Sequence, residues 1–119
     1  MEQIYSKTRL TDYQEKSRAT WAQIDCGVNP DIDVYCALGL ANEVGELLGK
    51  IKKLFRDKDG KFSDADRESI KQELGDVLWY WTQIATGFGL TIDEIAGANL
   101  VKLQDRQRRG VIGGSGDKR

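Results

Sequence analysis

Apolar residues recur at intervals of three and four in two long segments of the chain. Leu40, Val44, Leu47, Leu48, Ile51 and Leu54 follow this spacing, and so do Ile70, Leu74, Val77, Leu78, Trp81 and Ile84. Residues spaced this way share one face of an α-helix, whereas a half-buried strand would alternate every second residue. The spacing predicts one helix over about 31–55 and another over about 63–87. Ser63 is a good N-cap for the second, with acidic residues in its first turn. A shorter helix is expected over about 11–24, with Tyr13, Ala19, Trp21, Ala22 and Ile24 as its apolar positions. The turn sequence Cys26-Gly27-Val28-Asn29-Pro30 ends it. Thr91-Ile92-Asp93-Glu94 reads as a capping box that opens a last helix ending near Arg109. The polar run 56–61 is expected to be the loop between the long helices. With one proline and little β-branched alternation, the fold class is all-α. It is expected as a four-helix bundle-like domain over 1–110, followed by a flexible glycine-rich tail over 111–119.

Two acidic pairs interrupt the apolar pattern. Glu43-Val44-Gly45-Glu46 and Glu73-Leu74-Gly75-Asp76 each set two carboxylates three residues apart, on one helix face about one turn from each other. An arbitrary pair of this kind is ordinarily a solvated face. Here the surroundings are apolar: Leu38, Leu40, Leu47 and Leu48 around the first pair, Leu74, Val77 and Leu78 around the second. Each motif also carries a glycine inside a helix, at a cost of about 1 kcal/mol against alanine. Gly45 and Gly75 are therefore expected to permit close helix approach. Four carboxylates converging from two antiparallel helices repel one another unless a cation lies among them. Hard oxygen ligands suit Mg²⁺ or Mn²⁺, so the pattern points to a metal site that holds a polyphosphate.

Length and charge narrow the partners. A chain of 119 residues makes one domain, and burying roughly two-thirds of its unfolded surface leaves apolar helix surface for an oligomer to cover. The net charge of −1 predicts no bulk attraction to nucleic acid or to anionic membrane. Basic residues nevertheless gather near the C-terminal end, where Arg106, Arg108 and Arg109 read as solvated groups or oligomer contacts. With no signal peptide and no membrane-length apolar run, a cytoplasmic location is the default. Cys26 and Cys36 read as buried thiols rather than a disulfide framework. The chain has no histidine. This excludes Ser-His and Cys-His nucleophiles, His-ligated zinc and the Glu-x-x-His sets of di-iron bundles.

Glu-x-x-Glu, 26 intervening residues and Glu-x-x-Asp together resemble the signature of the MazG-like all-α nucleoside triphosphate pyrophosphohydrolases. The resemblance covers most of the chain. It takes in Tyr13-Gln14, the run from Gly39 to Leu47, the run from Glu73 to Tyr80, and Asn99-x-x-Lys102-Leu103-x-x-Arg106. It implies hydrolysis of (deoxy)nucleoside triphosphates between the α and β phosphates, giving a monophosphate and pyrophosphate, in nucleotide-pool house-cleaning. It also implies Mg²⁺ as cofactor and a homodimer or homotetramer. By the same resemblance Glu43, Glu46, Glu73 and Asp76 are the metal ligands and catalytic carboxylates, with Glu46 favoured where one of them accepts a proton from water.

The substrate-binding candidates follow. Lys50 and Lys53 lie four and seven residues after Glu46 and suit the pyrophosphate end, or equally a solvated helix end. Asn99 and Lys102 match nucleotide-contacting positions of the family. Tyr80, one turn after Asp76, matches a base-contacting position. Trp21 and Trp79 are further candidates, although Trp79 and Trp81 also suit a core. The tail resembles that of some relatives and reads either as a cover over phosphates or as a disordered end. Two other functions fit the same residues: a phosphoribosyl-ATP pyrophosphohydrolase, and a non-catalytic nucleotide-binding helical oligomer.

Overall fold

A computed structural model of the protein describes residues 7–21 and 34–119. Its helices fall in the four expected segments: α1 (Leu10–Trp21), α2 (Val34–Lys58), α3 (Asp64–Gly87) and α4 (Ile92–Arg108). No strand occurs among the described residues, and the all-α class holds. Ala22, Ile24, the turn at 26–30 and the expected start of the second helix near Asp31 lie outside the described residues. No helix among them is long and apolar enough to cross a membrane.

The helix boundaries show which local signals act. α2 continues past the expected end at Phe55 to Lys58, because arginine and lysine are good helix formers and a polar run does not itself stop a helix. The stop comes at Asp59 and Gly60, both with positive φ (57° and 75°). The Gly60 N–H then donates to the Leu54 carbonyl at 3.0 Å, a bond six residues back that closes the helix end through left-handed backbone. Ser63 caps α3 as expected. Its hydroxyl accepts the Asp66 N–H at 3.2 Å, and the Asp66 carboxylate accepts the Ser63 N–H at 2.9 Å. At α4 only half of the capping box forms. Thr91 accepts the Glu94 N–H, but the Glu94 carboxylate takes the Thr91 hydroxyl instead of its N–H.

α2 and α3 form an antiparallel hairpin. Lys58 meets Asp66, Lys50 meets Glu73 and Gly39 meets Tyr80, the α2 number falling as the α3 number rises. The close approach expected at Gly45 and Gly75 occurs at Gly39 instead. A Cβ on Gly39 would collide with the Tyr80 ring, whereas a Cβ on Gly45 or Gly75 would meet nothing within 4 Å. The two motif glycines lie on the open flank of the hairpin, and Gly39 sits where α2 meets Tyr80 of α3.

α1 packs on both α3 and α4. Gln14 makes the main tie. Its amide donates to Thr86 Oγ1 at 3.0 Å and to the Leu90 carbonyl at 2.8 Å, while its Oε1 accepts the Ile92 N–H at 3.0 Å. One side chain thus joins the end of α3 to the start of α4. Deeper in, buried Gln83 donates to buried Ser17 at 3.0 Å.

The core is small and half polar. Trp21, Cys36, Ala85 and Ile92 are buried, and so are Ser17, Glu73, Thr82, Gln83 and Arg106. Two leucines of the apolar stripes, Leu48 and Leu74, are more than half exposed. At Leu74 the reason is local. α3 turns Glu73 inward, and a neighbour about 100° further round the helix points away. The Cα radius of gyration is 17.3 Å, against about 13.5 Å for a compact domain of this length. Much apolar helix surface consequently remains outside.

Candidate functional site

The acidic pairs meet at the middle of the α2–α3 hairpin. One oxygen from each of Glu43, Glu73 and Asp76 lies within 4.8 Å of the others. Glu46 is exposed at the rim beside Glu43 and accepts a long hydrogen bond (3.4 Å) from the Asn42 amide. The structure therefore places three of the four expected carboxylates in one cluster and the fourth on its edge.

The charge of the cluster is only partly compensated. Burial, first, and then Glu46, Asp76 and Glu73 push the Glu43 carboxyl above its ordinary value. Glu43 Oε2 and Glu73 Oε2 are buried and accept no hydrogen bond. Buried carboxylate oxygens without donors are costly, and a divalent cation would satisfy both while removing the mutual repulsion. The donor set fits: three hard oxygen donors from two rigid helices, with no nitrogen or sulfur ligand in the cluster.

On one side of the carboxylates lie lysines. Lys50 Nζ is 2.6 Å from Glu73 Oε1. Beyond it a cavity of about 250 Å³ opens between the helices, lined by Lys50, Lys53, Lys58, Asp66 and Ser69 among others. Lys58 pairs with Asp66 at 2.6 Å, as Lys50 does with Glu73; by position along α2, Lys50 and Lys53 lie nearer the acidic end of this cavity.

On the other side lies an aromatic wall. Tyr80 packs against Gly39 and Tyr35, and Trp79 packs edge-on to Tyr80 with ring centroids 5.0 Å apart. Trp21 is buried, stacks on Trp79 at 6.0 Å and carries the Arg18 guanidinium 5.2 Å above its ring. Burial, first, and a hydrogen bond with Tyr35 push the Tyr80 phenol up to about 12, so it stays protonated at neutral pH.

Sequence reasoning missed Tyr13 as a member of this site. Its phenol is pushed up by burial and then by the Asp76 charge, so it lies within electrostatic reach of the cluster. No spacing rule on α2 or α3 could have revealed an influence that reaches across from α1. Arg106, read as a solvated group or an oligomer contact, is 5% exposed and bonds the Asp117 carbonyl of the C-terminal residues. Asn99 is exposed on α4, and Lys102 pairs with Asp117. Among the described residues no hydrogen bond or ion pair joins either to the four carboxylates.

Carboxylates crowded on a helical hairpin, with lysines at one end and an aromatic wall at the other, mark a class: an all-α domain built to hold a cation and a phosphate-bearing ligand. Residues 35–111 match the MazG nucleotide pyrophosphohydrolase domain, and the chain belongs to this family of hydrolases acting on acid anhydrides. The matched span holds both acidic pairs, Lys50, Lys53, Tyr80, Asn99 and Lys102, while Tyr13 and Trp21 precede it. The chain is also similar to the gene 37 protein of Mycobacterium phage L5, at 46% identity over 85 residues, covering 71% of this chain and 75% of that protein. No solved structure matches the chain.

Proposed function

We propose that this protein hydrolyses (deoxy)nucleoside triphosphates between the α and β phosphates in the presence of Mg²⁺, with Mn²⁺ able to replace it, and acts in nucleotide-pool house-cleaning in the cytoplasm. The observation that carries this reading is the pair of buried, unpartnered oxygens of Glu43 and Glu73 within the three-carboxylate cluster. Glu43, Glu73 and Asp76 would hold the cation, which neutralises phosphate charge and activates water when bound. Glu46, at the exposed rim, is positioned to accept a proton from attacking water.

The substrate then lies along the hairpin. Its base stacks in the region of Tyr80, with Trp79 and the buried Trp21 behind it. Its β and γ phosphates point toward Lys50 and Lys53, where positive charge stabilises the departing pyrophosphate. Asn99 and Lys102 are assigned to the nucleotide as well, from α4.

The active form is proposed to be a homodimer or homotetramer. Leu38, Leu48 and Phe55 on α2 and Leu100 and Val101 on α4 are all more than half exposed, and burying such side chains against a second copy would remove their apolar surface from water. A monomer mass by light scattering at micromolar concentration would contradict this.

The experiment is a pyrophosphate-release screen over standard, oxidised and methylated nucleoside triphosphates with Mg²⁺. Glu43→Gln and Asp76→Asn proteins run alongside. Release that is metal-dependent and falls by about 100-fold or more in both variants supports the reading, since disturbing even the groups behind a metal ligand costs 10–100-fold. Folded, Mg²⁺-binding protein that releases nothing from these substrates sinks it, and turnover of phosphoribosyl-ATP alone would replace it.

A further inference from the structure

The last residues of the chain fold back along α4. Gly110, Gly114 and Gly116 have positive φ and turn the backbone. The Val111 N–H donates to the Arg106 carbonyl at 2.9 Å, and Arg109 Nη2 donates to the Arg119 carbonyl at 2.8 Å. This path carries Asp117 over α4. Asp117 Oδ1 lies 3.3 Å from Lys102 Nζ and 3.4 Å from Arg106 Nη2, and the Asp117 backbone carbonyl accepts Arg106 Nη2 at 2.6 Å. Lys102 and Arg106, one helical turn apart, thus share a single carboxylate oxygen.

The match is poor for the cations. The Arg106 side chain is 6% exposed and its Nε is buried without a partner, while the Asp117 side chain facing it is 87% exposed. A guanidinium prefers two parallel bonds to a planar or tetrahedral oxyanion, whereas here its short bond goes to a neutral backbone carbonyl and it shares one carboxylate oxygen, 3.4 Å away, with an ammonium. A phosphate group has oxygens enough to serve both at once. Asp117 holds its place through tethering, which gives it a high effective concentration. Lys102 and Arg106 in turn hold its carboxyl below the usual carboxylate range, Lys102 having the larger influence.

We propose that Asp117 is the chain's own competitor for the phosphate groups that Lys102 and Arg106 would meet, so the C-terminal strap must yield when a phosphate group enters. The proposal rests on the assignment of Lys102 to substrate, not on hydrolysis at the carboxylates.

The test is calorimetric titration of the full-length protein with pyrophosphate in the absence of divalent cations. Asp117→Asn is expected to bind about two- to fivefold more tightly, as loss of one exposed competing charge predicts. Adding Lys102→Gln to that variant is expected to abolish the gain. In the unaltered protein, saturating pyrophosphate is expected to speed tryptic cleavage within residues 102–119 as the strap is displaced. Asp117→Asn protein that is folded by circular dichroism and binds no more tightly than the unaltered chain overturns the proposal. So does a gain that survives loss of the Lys102 charge. Failure to release pyrophosphate from triphosphates would sink the hydrolase reading and leave this binding result standing.

Discussion

The Lys50 ammonium lies 2.6 Å from Glu73 Oε1, setting a half-exposed lysine against a carboxylate that is 10% exposed. Lys50 therefore offsets part of the repulsion within the acidic cluster, and it also borders the cavity assigned to the terminal phosphates. Replacing it removes both effects. Lys50→Met is predicted to destabilise the metal-free protein by about 1–3 kcal/mol, the range for leaving a buried charged acceptor without its partner. Thermal melts should show that Mg²⁺ recovers most of this loss, while the KM for triphosphate stays raised. Equal destabilisation with and without Mg²⁺ would mean that Lys50 is not paired with a metal-binding carboxylate.

Gly39 and Gly45 make opposite predictions on the same helix. Gly39→Ala drives a methyl group into the Tyr80 ring and should cost about 1–3 kcal/mol, as overpacking does. Gly45→Ala meets open space and should stabilise α2 by up to about 1 kcal/mol through helix propensity. Urea denaturation of both variants checks the pair. A stabilised Gly39→Ala would contradict the close approach of Tyr80 to α2.

Gln14 is predicted to be the strongest single tie between α1 and the α3–α4 junction. Gln14→Ala removes three hydrogen bonds, two of them with backbone groups at Leu90 and Ile92. The expected loss is about 1–3 kcal/mol, with hydrogen exchange of the Ile92 amide accelerated more than that of amides in the middle of α2. A uniform change across both helices would contradict a local role.

The pH dependence follows from opposed shifts. Folding raises the Glu43 carboxyl above its ordinary 4.5, so the folded state holds a proton that the unfolded state has released. Stability from this group therefore falls as pH rises through the window between those two values. Asp66 is shifted the other way, from 3.8 to about 2, by Lys58 and then by Ser63. Its contribution is present above 3.8 and is lost as pH falls toward 2. In metal-free buffer, Glu43→Gln should abolish the loss above pH 4.5 attributable to this residue and leave the acid-side loss in place. Guanidinium titrations across that range read the difference directly, and a variant that parallels the unaltered protein throughout would refute the assignment.

The elements most legible in the sequence were those set by local signals. Three- and four-residue spacing located α2 and α3, and Ser63 marked its helix start by chemistry that acts within one turn. The end of α2 was misplaced because its stop depends on backbone conformation at Asp59 and Gly60, not on the polarity of Arg56 to Lys58. The acidic pairs stood out because carboxylates in an apolar stripe conflict with burial. The conflict is visible in the fold, where Glu73 turns inward and Leu74 outward. The influence of Asp76 on Tyr13, the place of Gln14 across the helix junction and that of Arg106 beneath the C-terminal strap were not legible. Each depends on a contact between segments whose relative placement no periodicity encodes, and a polar side chain on a short helix carries no mark of the partner it will meet.

The most direct test of the central claim is ³¹P nuclear magnetic resonance of a deoxynucleoside triphosphate incubated with the protein and Mg²⁺. The account predicts that the triphosphate signals give way to those of a monophosphate and pyrophosphate in equal amounts, and that the Glu73→Gln protein shows no such change. Orthophosphate with a nucleoside diphosphate would contradict cleavage between the α and β phosphates, and so would conversion that is unaltered by loss of the Glu73 carboxylate.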